Sequence, residues 1–446
     1  MPPVDTVLTN ARLPGFPGLH QLHFTVDGVL RAIYPVSANV PAQAKVLDMA
    51  GDWLSPGGTD LQINGALGLA FPNLEHPHLP TLDKICEFLW QQGIDAFLPT
   101  VVTTSVEQIH RALGAIAQQM AISGGWASPT TLHADALTNR VLPTLATKGK
   151  WPFAPPAPTV SPSPKPKSKI QNPKSKILGV HLEGPCLNPA KRGAHPAEHL
   201  QPLTLDVVQQ VLGDYVHLVK VITLAPELDP TGEVIPYLRS RNLTISLGHS
   251  QATAQQAQSA FAQGATMVTH AFNAMPPLHH REPGLLGAAL VNPQIHCGII
   301  ADGVHVCPTM LDLLLRTRRG SFPQSPLGES AEEFTPPLPG LFLVSDALAP
   351  LGLPDGTYPW DTRQIHVKNG TARLEDGTLS GTTLPLLAGV KNLVKWGLCG
   401  VGEAIALATT APRQALGLAP FPRGEQCNPL RWHEAASTLS VQRVFR

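Results

Sequence analysis

Five residues in this chain end short, apolar, β-branched runs with a side chain that can bind a metal or move a proton. Glu183 ends ILGVHLE (177–183), His249 ends LTISLGH (243–249) and His270 ends ATMVTH (265–270). Asp302 ends IHCGIIAD (295–302), and Asp346 ends LFLVSD (341–346). Histidines concentrate in the same region, since 10 of the 18 fall between residues 181 and 305. One carboxylate and two imidazoles converging from strand ends make a catalytic metal site with positions open to water and substrate. A salt-bridged cluster without metal is the alternative. Beside such an ion, Asp346 can take the proton of a water whose pKa falls to about 7 on zinc, then return it to a leaving amine. An extra metal ligand and a helix N-cap are the other roles open to Asp346.

These roles require a scaffold that gathers strand ends. The runs PGGTDLQIN (56–64), IDAFLPTVV (94–102) and HLVKVITL (217–224) complete a set of eight. Continuous β-branched runs bounded by turn residues read as buried parallel strands. Helical patterns separate several of them. In 105–121, Val106, Ile109, Leu113, Ile116 and Met120 step by three and four, an amphipathic stripe. The stretches 253–263, 308–318 and 402–417 also read as helices. Strands alternating with helices predict an α/β fold, a (β/α)8 TIM barrel, whose active sites lie at the C-terminal ends of the strands. The 21 residues from His249 to His270 hold one helix and one strand. The two imidazoles therefore cap adjacent strands, about 4.8 Å apart, and Glu183 lies two strands earlier.

The barrel is expected over 56–418. Residues 1–55 read as short strands (TVLTNARL, LHFTVDG, VLRAIYP, KVLDMAG) joined by Gly, Asp and Pro turns. The tail, 419–446, ends in the strand-like STLSVQRVFR. A small β-sandwich domain built from both chain ends is the economical reading. Within the barrel, 151–176 is dense in Pro, Ser and Lys and repeats KSKI at 167–170 and 174–177. Such a tract is expected to be a solvated loop insert.

Composition narrows the partners. The 446 residues carry 32 Lys plus Arg against 32 Asp plus Glu, so no net basic charge is available to neutralise nucleic-acid phosphates. With 43% hydrophobic residues, the chain can bury a large core and is not a disordered polymer. No run of about 18 apolar residues occurs, so a spanning helix is not expected. Cys86, Cys186, Cys297, Cys307, Cys399 and Cys427 form no CxxC pair and no regular spacing. Dispersed thiols, and an N-terminus (MPPVDTVLTN) without a basic n-region or apolar h-region, read as cytoplasmic.

Five separated motifs now carry a resemblance. HLEGPCLNPAKRGAHP (181–196), LGHSQAT (247–253), THAFNAMPPLHHREPG (269–284), ADGVHV (301–306) and SDALAPLGLPDG (345–356) occur in order. Together with DLQINGALG (60–68) and LSGTTL (379–384), they resemble the N-acetylglucosamine-6-phosphate deacetylase family of the amidohydrolase superfamily over about 55–415. The resemblance implies a metal-dependent hydrolase that removes acetate from an amino-sugar phosphate. It implies one divalent ion per chain, held by Glu183, His249 and His270. Zinc is the first choice, with Fe2+, Co2+ or Mn2+ as alternatives. Asp346 would be the general base and then the general acid. Ala194, His195, Asn273, Ala274, Asp302, Gly303, Val304 and His305 would hold the sugar. Arg281, with His305 nearby, would reach the 6-phosphate, which suits a guanidinium fork. Leu379, Ser380 and Gly381 would line the acetyl side. The family's phosphate contacts come partly from a neighbouring subunit, which implies a homodimer or higher homo-oligomer.

The chain departs from the wider superfamily on the first barrel strand. Many amidohydrolases carry His-x-His there to hold a second metal. Gln62 and Asn64 stand at those positions, and neutral amides bind such cations poorly. His181 alternates to the same strand face as Glu183 and is a candidate partner for the ligands. The motifs do not separate the glucosamine from the galactosamine epimer. A catalytically silent sugar-phosphate sensor would be expected to lack a ligand or the base, yet all four residues are present.

Overall fold

The computed structural model describes residues 4–122, 173–319, 334–435 and 438–445. Its centre is the expected parallel barrel. The strands run in chain order: Gly58–Ile63, Ile94–Val102, Val180–Glu183, Val219–Leu224, Thr244–Leu247, Met267–Val268, His296–Ile299 and Leu341–Leu343. A parallel bridge between Ile63 and Ala347 closes the ring, and the Asp346 N–H donates to the Gln62 carbonyl at 2.9 Å. Both faces of these strands are covered, which is why they read as unbroken apolar runs rather than alternating ones. Inside, Leu61, Leu98, Val221, Met267, Ile300, Phe342 and Val344 interdigitate as a filled core.

The surrounding helices follow from sequence periodicity and capping. Val106–Ile122 buries Ile109, Leu113, Ile116 and Met120, the expected stripe. Ala254–Gln263 starts with a reciprocal cap between Thr253 and Gln256 and stops at Gly264, whose φ of 116° only glycine adopts readily. The stretch read as one helix over 402–417 is two, Val401–Ala408 and Thr410–Ala415. The break is at Thr409 (φ −122°, ψ −73°), one turn before Pro412, which has no N–H to donate backwards.

The chain ends share one sheet. Its main path runs Thr438–Arg443, Leu430–Ala435, Trp53–Ser55, Thr6–Arg12, Leu19–Phe24, Leu30–Pro35, and Lys45–Asp48 pairs with Thr6–Arg12 off that path. Leu8, Leu22, Phe24, Leu30, Leu54 and Phe421 form its core. Arg443 ties the last strand to the barrel. Its guanidinium ion-pairs with Asp95, donates to the carbonyls of Asn428 and Trp90 at 2.9 and 3.2 Å, and lies 3.4 Å from the Trp90 ring centroid. Arg443→Ala leaves Asp95 mostly buried without its counter-charge. It should destabilise the fold by about 3–5 kcal/mol, read as a lower urea midpoint.

Two features differ from the sequence reading. Residues 151–172 of the Pro-rich tract lie outside the described residues, but its end is docked rather than solvated. Lys174 pairs with Asp83 and Glu87, the Ser175 hydroxyl donates to the Ile94 carbonyl at 2.7 Å, and Lys176–Ile177 pairs with the second barrel strand. The described part of the insert therefore belongs to the barrel edge, held by ion pairs and strand hydrogen bonds. The second feature was not anticipated. Gly356–Pro359, Gln364–Lys368, Thr371–Leu374 and Leu379–Thr382 form a four-stranded antiparallel sheet after the eighth barrel strand. Its central turn is Asn369-Gly370, both with positive φ, the signature of a two-residue hairpin loop. Ile365, Val367, Ala372 and Leu374 of this sheet pack with Ala194 and Leu348, so it covers the loops that bear the site.

Candidate metal centre

Glu183, His249, His270 and Asp346 converge at the C-terminal ends of the barrel strands. Glu183 Oε1 lies 3.2 Å from His249 Nε2 and 3.1 Å from His270 Nε2, and the two Nε2 atoms are 3.0 Å apart. All three side chains are buried. Their backbones leave the strands abruptly: His249, His270 and Asp346 have φ of 49°, 27° and 47°. A left-handed conformation in a non-glycine residue costs on the order of 1–3 kcal/mol and persists only where the surroundings enforce it. Here it turns three side chains in towards a common point.

Second partners orient the donors. His249 Nδ1 donates to the Lys191 carbonyl at 2.8 Å, which orients the ring with Nε2 towards Glu183. Burial opposes the charge of Glu183, yet the hydrogen bonds and charges of His249 and His270 hold its carboxyl well below the usual range. Burial likewise opposes the His270 cation, but Glu183 more than offsets it and raises that pKa. Two imidazole nitrogens and a carboxylate oxygen this close together match the donor set and size of one small divalent ion, whose ligands sit about 2.0–2.2 Å from it.

Asp346 lies at the edge of the cluster. Its Oδ1 accepts from Asn64 Nδ2 at 2.8 Å and from Gln62 Nε2 at 3.3 Å, and Gln62 Nε2 also donates to Glu183 Oε1 at 3.0 Å. The first-strand amides thus serve as donors to the two carboxylates. Burial, reinforced by the charge of Glu183, pushes Asp346 up to about 6.

The other expected site residues fall into three groups. His195 is buried beside the cluster, with Nδ1 2.8 Å from Thr103 Oγ1 and Nε2 4.0 Å from Glu183 Oε2. Burial, and then the neighbouring His249, lowers its pKa to about 3, so the ring is neutral. The Ala194 carbonyl accepts from Arg363 at 2.6 Å. Gly381 is so close to Asp346 that a Cβ there would stand 2.7 Å from the Asp346 carbonyl oxygen. Leu379 and Ser380, half-buried, precede it on the same strand. Asn273 donates to the His270 carbonyl at 3.2 Å, and the Ala274 carbonyl accepts from the Ser250 N–H.

The second group is the loop after the seventh strand. Asp302 is spent on its own loop: Oδ1 accepts the N–H groups of Val304 and His305 at 2.9 and 2.8 Å, and Oδ2 binds His305 Nδ1 at 2.7 Å. It aims His305 rather than presenting a free carboxylate. Gly303 is pressed against Trp396, and Val304 is exposed. Arg281 stands apart as the third group. It is exposed, and among the described residues it makes no ion pair. Sequence reasoning missed Thr103, Lys191 and Arg363 as partners of the site. Thr103 was findable, because it directly follows the second barrel strand.

Comparison with known proteins places this chain. No family model matches the chain. It is 32% identical over 379 residues to the N-acetylglucosamine-6-phosphate deacetylase of Bos taurus, covering 83% of this chain and 76% of the relative, and equally so to that of Homo sapiens. This chain belongs to the N-acetylglucosamine-6-phosphate deacetylase family. It is also 30% identical over 401 residues to an N-acetylgalactosamine-6-phosphate deacetylase of Escherichia coli O157:H7, covering 90% of this chain and 85% of that one. Among solved structures, the N-acetylglucosamine-6-phosphate deacetylase of Pasteurella multocida superposes with a TM-score of 0.71 at 24% identity, over 97% of this chain and 96% of that one. A Mycobacterium smegmatis variant in complex with N-acetyl-D-glucosamine-6-phosphate gives 0.73 at 23%, over 99% and 98%. At that identity the superpositions establish the deacetylase fold.

Proposed function

We propose that this chain hydrolyses the acetamide of N-acetyl-D-glucosamine 6-phosphate to D-glucosamine 6-phosphate and acetate, as a cytoplasmic homodimer or higher oligomer in amino-sugar recycling. The observation that carries this reading is Asp346 set against the convergent trio Glu183, His249 and His270. Held by that trio, one divalent ion (zinc first, then Fe2+, Co2+ or Mn2+) would supply Lewis acidity to the acetamide carbonyl and acidify water. The remaining chemistry belongs to the chain. With Oδ1 of Asp346 occupied by two amide donors, Oδ2 is the oxygen free to accept the proton of attacking water. A pKa near 6 suits both proton transfers, because the group is ionised enough to take the proton and basic enough to hold it until the amine nitrogen needs it. The carbonyl carbon gains a C–O bond, the C–N bond breaks, and the proton moves from water through Asp346 to the departing nitrogen.

Ala194, His195, Asn273, Ala274, Gly303, Val304 and His305 would hold the sugar, with Asp302 holding His305. Leu379, Ser380 and Gly381 would line the acetyl side, Gly381 lying against the Asp346 carbonyl. Arg281 is exposed and not ion-paired among the described residues, which suits a group that meets the 6-phosphate together with a neighbouring subunit. Arg281→Ala should lower kcat/KM on the 6-phosphate by about 10- to 100-fold, the worth of a charge-assisted hydrogen bond. Unphosphorylated N-acetylglucosamine should be little affected, and equal losses on both substrates would make Arg281 structural.

The activity is tested by assaying purified protein on both 6-phosphate epimers for acetate and amino-sugar phosphate. Equimolar products, with the glucosamine epimer the better substrate, are expected. Turnover confined to the galactosamine epimer would transfer the assignment to that sugar.

A further inference from the structure

Beneath the metal trio, the barrel interior holds a row of polar side chains that the reaction does not use. His181, Thr223, Ser246 and Thr269 are all buried, at 3, 0, 1 and 4% exposure. They lie on four consecutive barrel strands or at their ends, and they bond in sequence. His181 Nδ1 is 3.1 Å from the Leu61 carbonyl, and its Nε2 is 2.8 Å from Thr223 Oγ1. Thr223 Oγ1 is 2.7 Å from Thr269 Oγ1, which is 2.6 Å from Ser246 Oγ.

The direction of every bond follows from its end. A carbonyl only accepts, so His181 Nδ1 donates to Leu61 and Nε2 of the neutral ring becomes an acceptor. Thr223 must then donate its single hydroxyl proton to His181. With that proton committed, Thr223 accepts from Thr269, and Thr269 in turn accepts from Ser246. The chain runs one way, from the fifth strand to the first. Four of the five members sit one to three residues before a site residue (Leu61 before Gln62, His181 before Glu183, Ser246 before His249, Thr269 before His270), and Thr223 joins them at the centre through His181 and Thr269.

Gly248, next to His249, leaves room for the hydroxyl-bearing side chains, since a Cβ there would stand 2.7 Å from Thr269 Cβ and 3.1 Å from Thr223 Cγ2.

We propose that the chain Ser246–Thr269–Thr223–His181–Leu61 is a positioning device that fixes the strand ends bearing Glu183, His249 and His270, and thereby sets the affinity of the site for its divalent ion. It rests on the metal-site reading above. Groups hydrogen-bonded to metal ligands typically govern affinity by about 10- to 100-fold, and this row reaches the ligands through the strand backbones that bear them.

The test is Thr223→Val, nearly isosteric but unable to donate or accept, against Thr223→Ser, which restores the hydroxyl. The probe is zinc alone, titrated into metal-stripped protein in competition with a chromophoric chelator. Zinc affinity should fall about 10- to 100-fold in the Val variant and return to within a few-fold in the Ser variant. Val and wild type binding zinc equally, or Ser binding as weakly as Val, would overturn the proposal. So would a Val variant whose only change is a lower urea midpoint without metal, because that marks a purely structural row. If Thr223→Val does not fold, Ser246→Ala at the donor end carries the test: several-fold weaker zinc binding is expected, and unchanged binding rejects the chain. Failure of the wild type itself to bind zinc would instead refute the metal-site reading.

Discussion

Asp346→Asn is expected to keep its metal and lose about 10²- to 10⁴-fold in kcat, the usual contribution of a positioned proton-transfer group. The substitution is nearly isosteric and keeps an oxygen to accept from Asn64 and Gln62, so the local hydrogen bonds can survive. What it removes is the basic oxygen. The variant also places a third amide among Gln62 and Asn64, with no carboxylate left beside Glu183. Metal content by elemental analysis and turnover by acetate release should therefore diverge. Near-normal turnover with metal retained would mean that Asp346 is not the base.

His249→Ala should have an effect of comparable size, with loss of the metal as well. It takes one of three donors from the trio and leaves Glu183 with only His270 and the more distant His195 among its imidazole partners. Dialysed protein should carry well below one ion per chain. Because Lewis-acid stabilisation is worth several kcal/mol, kcat should fall on the order of 10³-fold or more. Circular dichroism should remain native-like, since the lost side chain closes a strand and is no part of the packed layers. A variant that kept both metal and activity would remove His249 from the ligand set.

Much of this site was legible in the sequence because barrel physics ties function to position. Buried parallel strands show as unbroken apolar runs, and the residue ending each run faces the active end. Glu183, His249, His270 and Asp346 could therefore be read as one cluster although they span 163 positions of chain numbering. The partners of those residues were less legible. Gln62 and Asn64 stood out only as missing histidines, and their donation to Asp346 crosses 284 and 282 residues, which no local pattern encodes. Thr223, Ser246 and Thr269 looked like ordinary strand formers, because a hydroxyl inside a β-branched run carries no sign of where it bonds. The resemblance makes Asp302 a sugar contact, and its bonds to its own loop and to His305 join residues too close in sequence for any pattern to single them out. The sheet over 356–382 carries a local signal in Asn369-Gly370 between alternating residues, one short hairpin turn within a chain dominated by barrel motifs. The docked end of the insert was hidden by its composition: Lys174 and Ser175 belong to a lysine- and serine-rich tract, yet they find carboxylates and a carbonyl at the barrel edge.

The central claim is a deacetylase that works with a single metal ion, in which Gln62 and Asn64 donate to the carboxylates of the site. The most direct test is to titrate metal-stripped enzyme with zinc while recording acetate release from N-acetyl-D-glucosamine 6-phosphate. Activity should rise linearly and saturate at one equivalent per chain, with Glu183, His249 and His270 providing the only protein donors required. Activity that appears only after the second equivalent would contradict the single-metal account and bring a further residue into coordination.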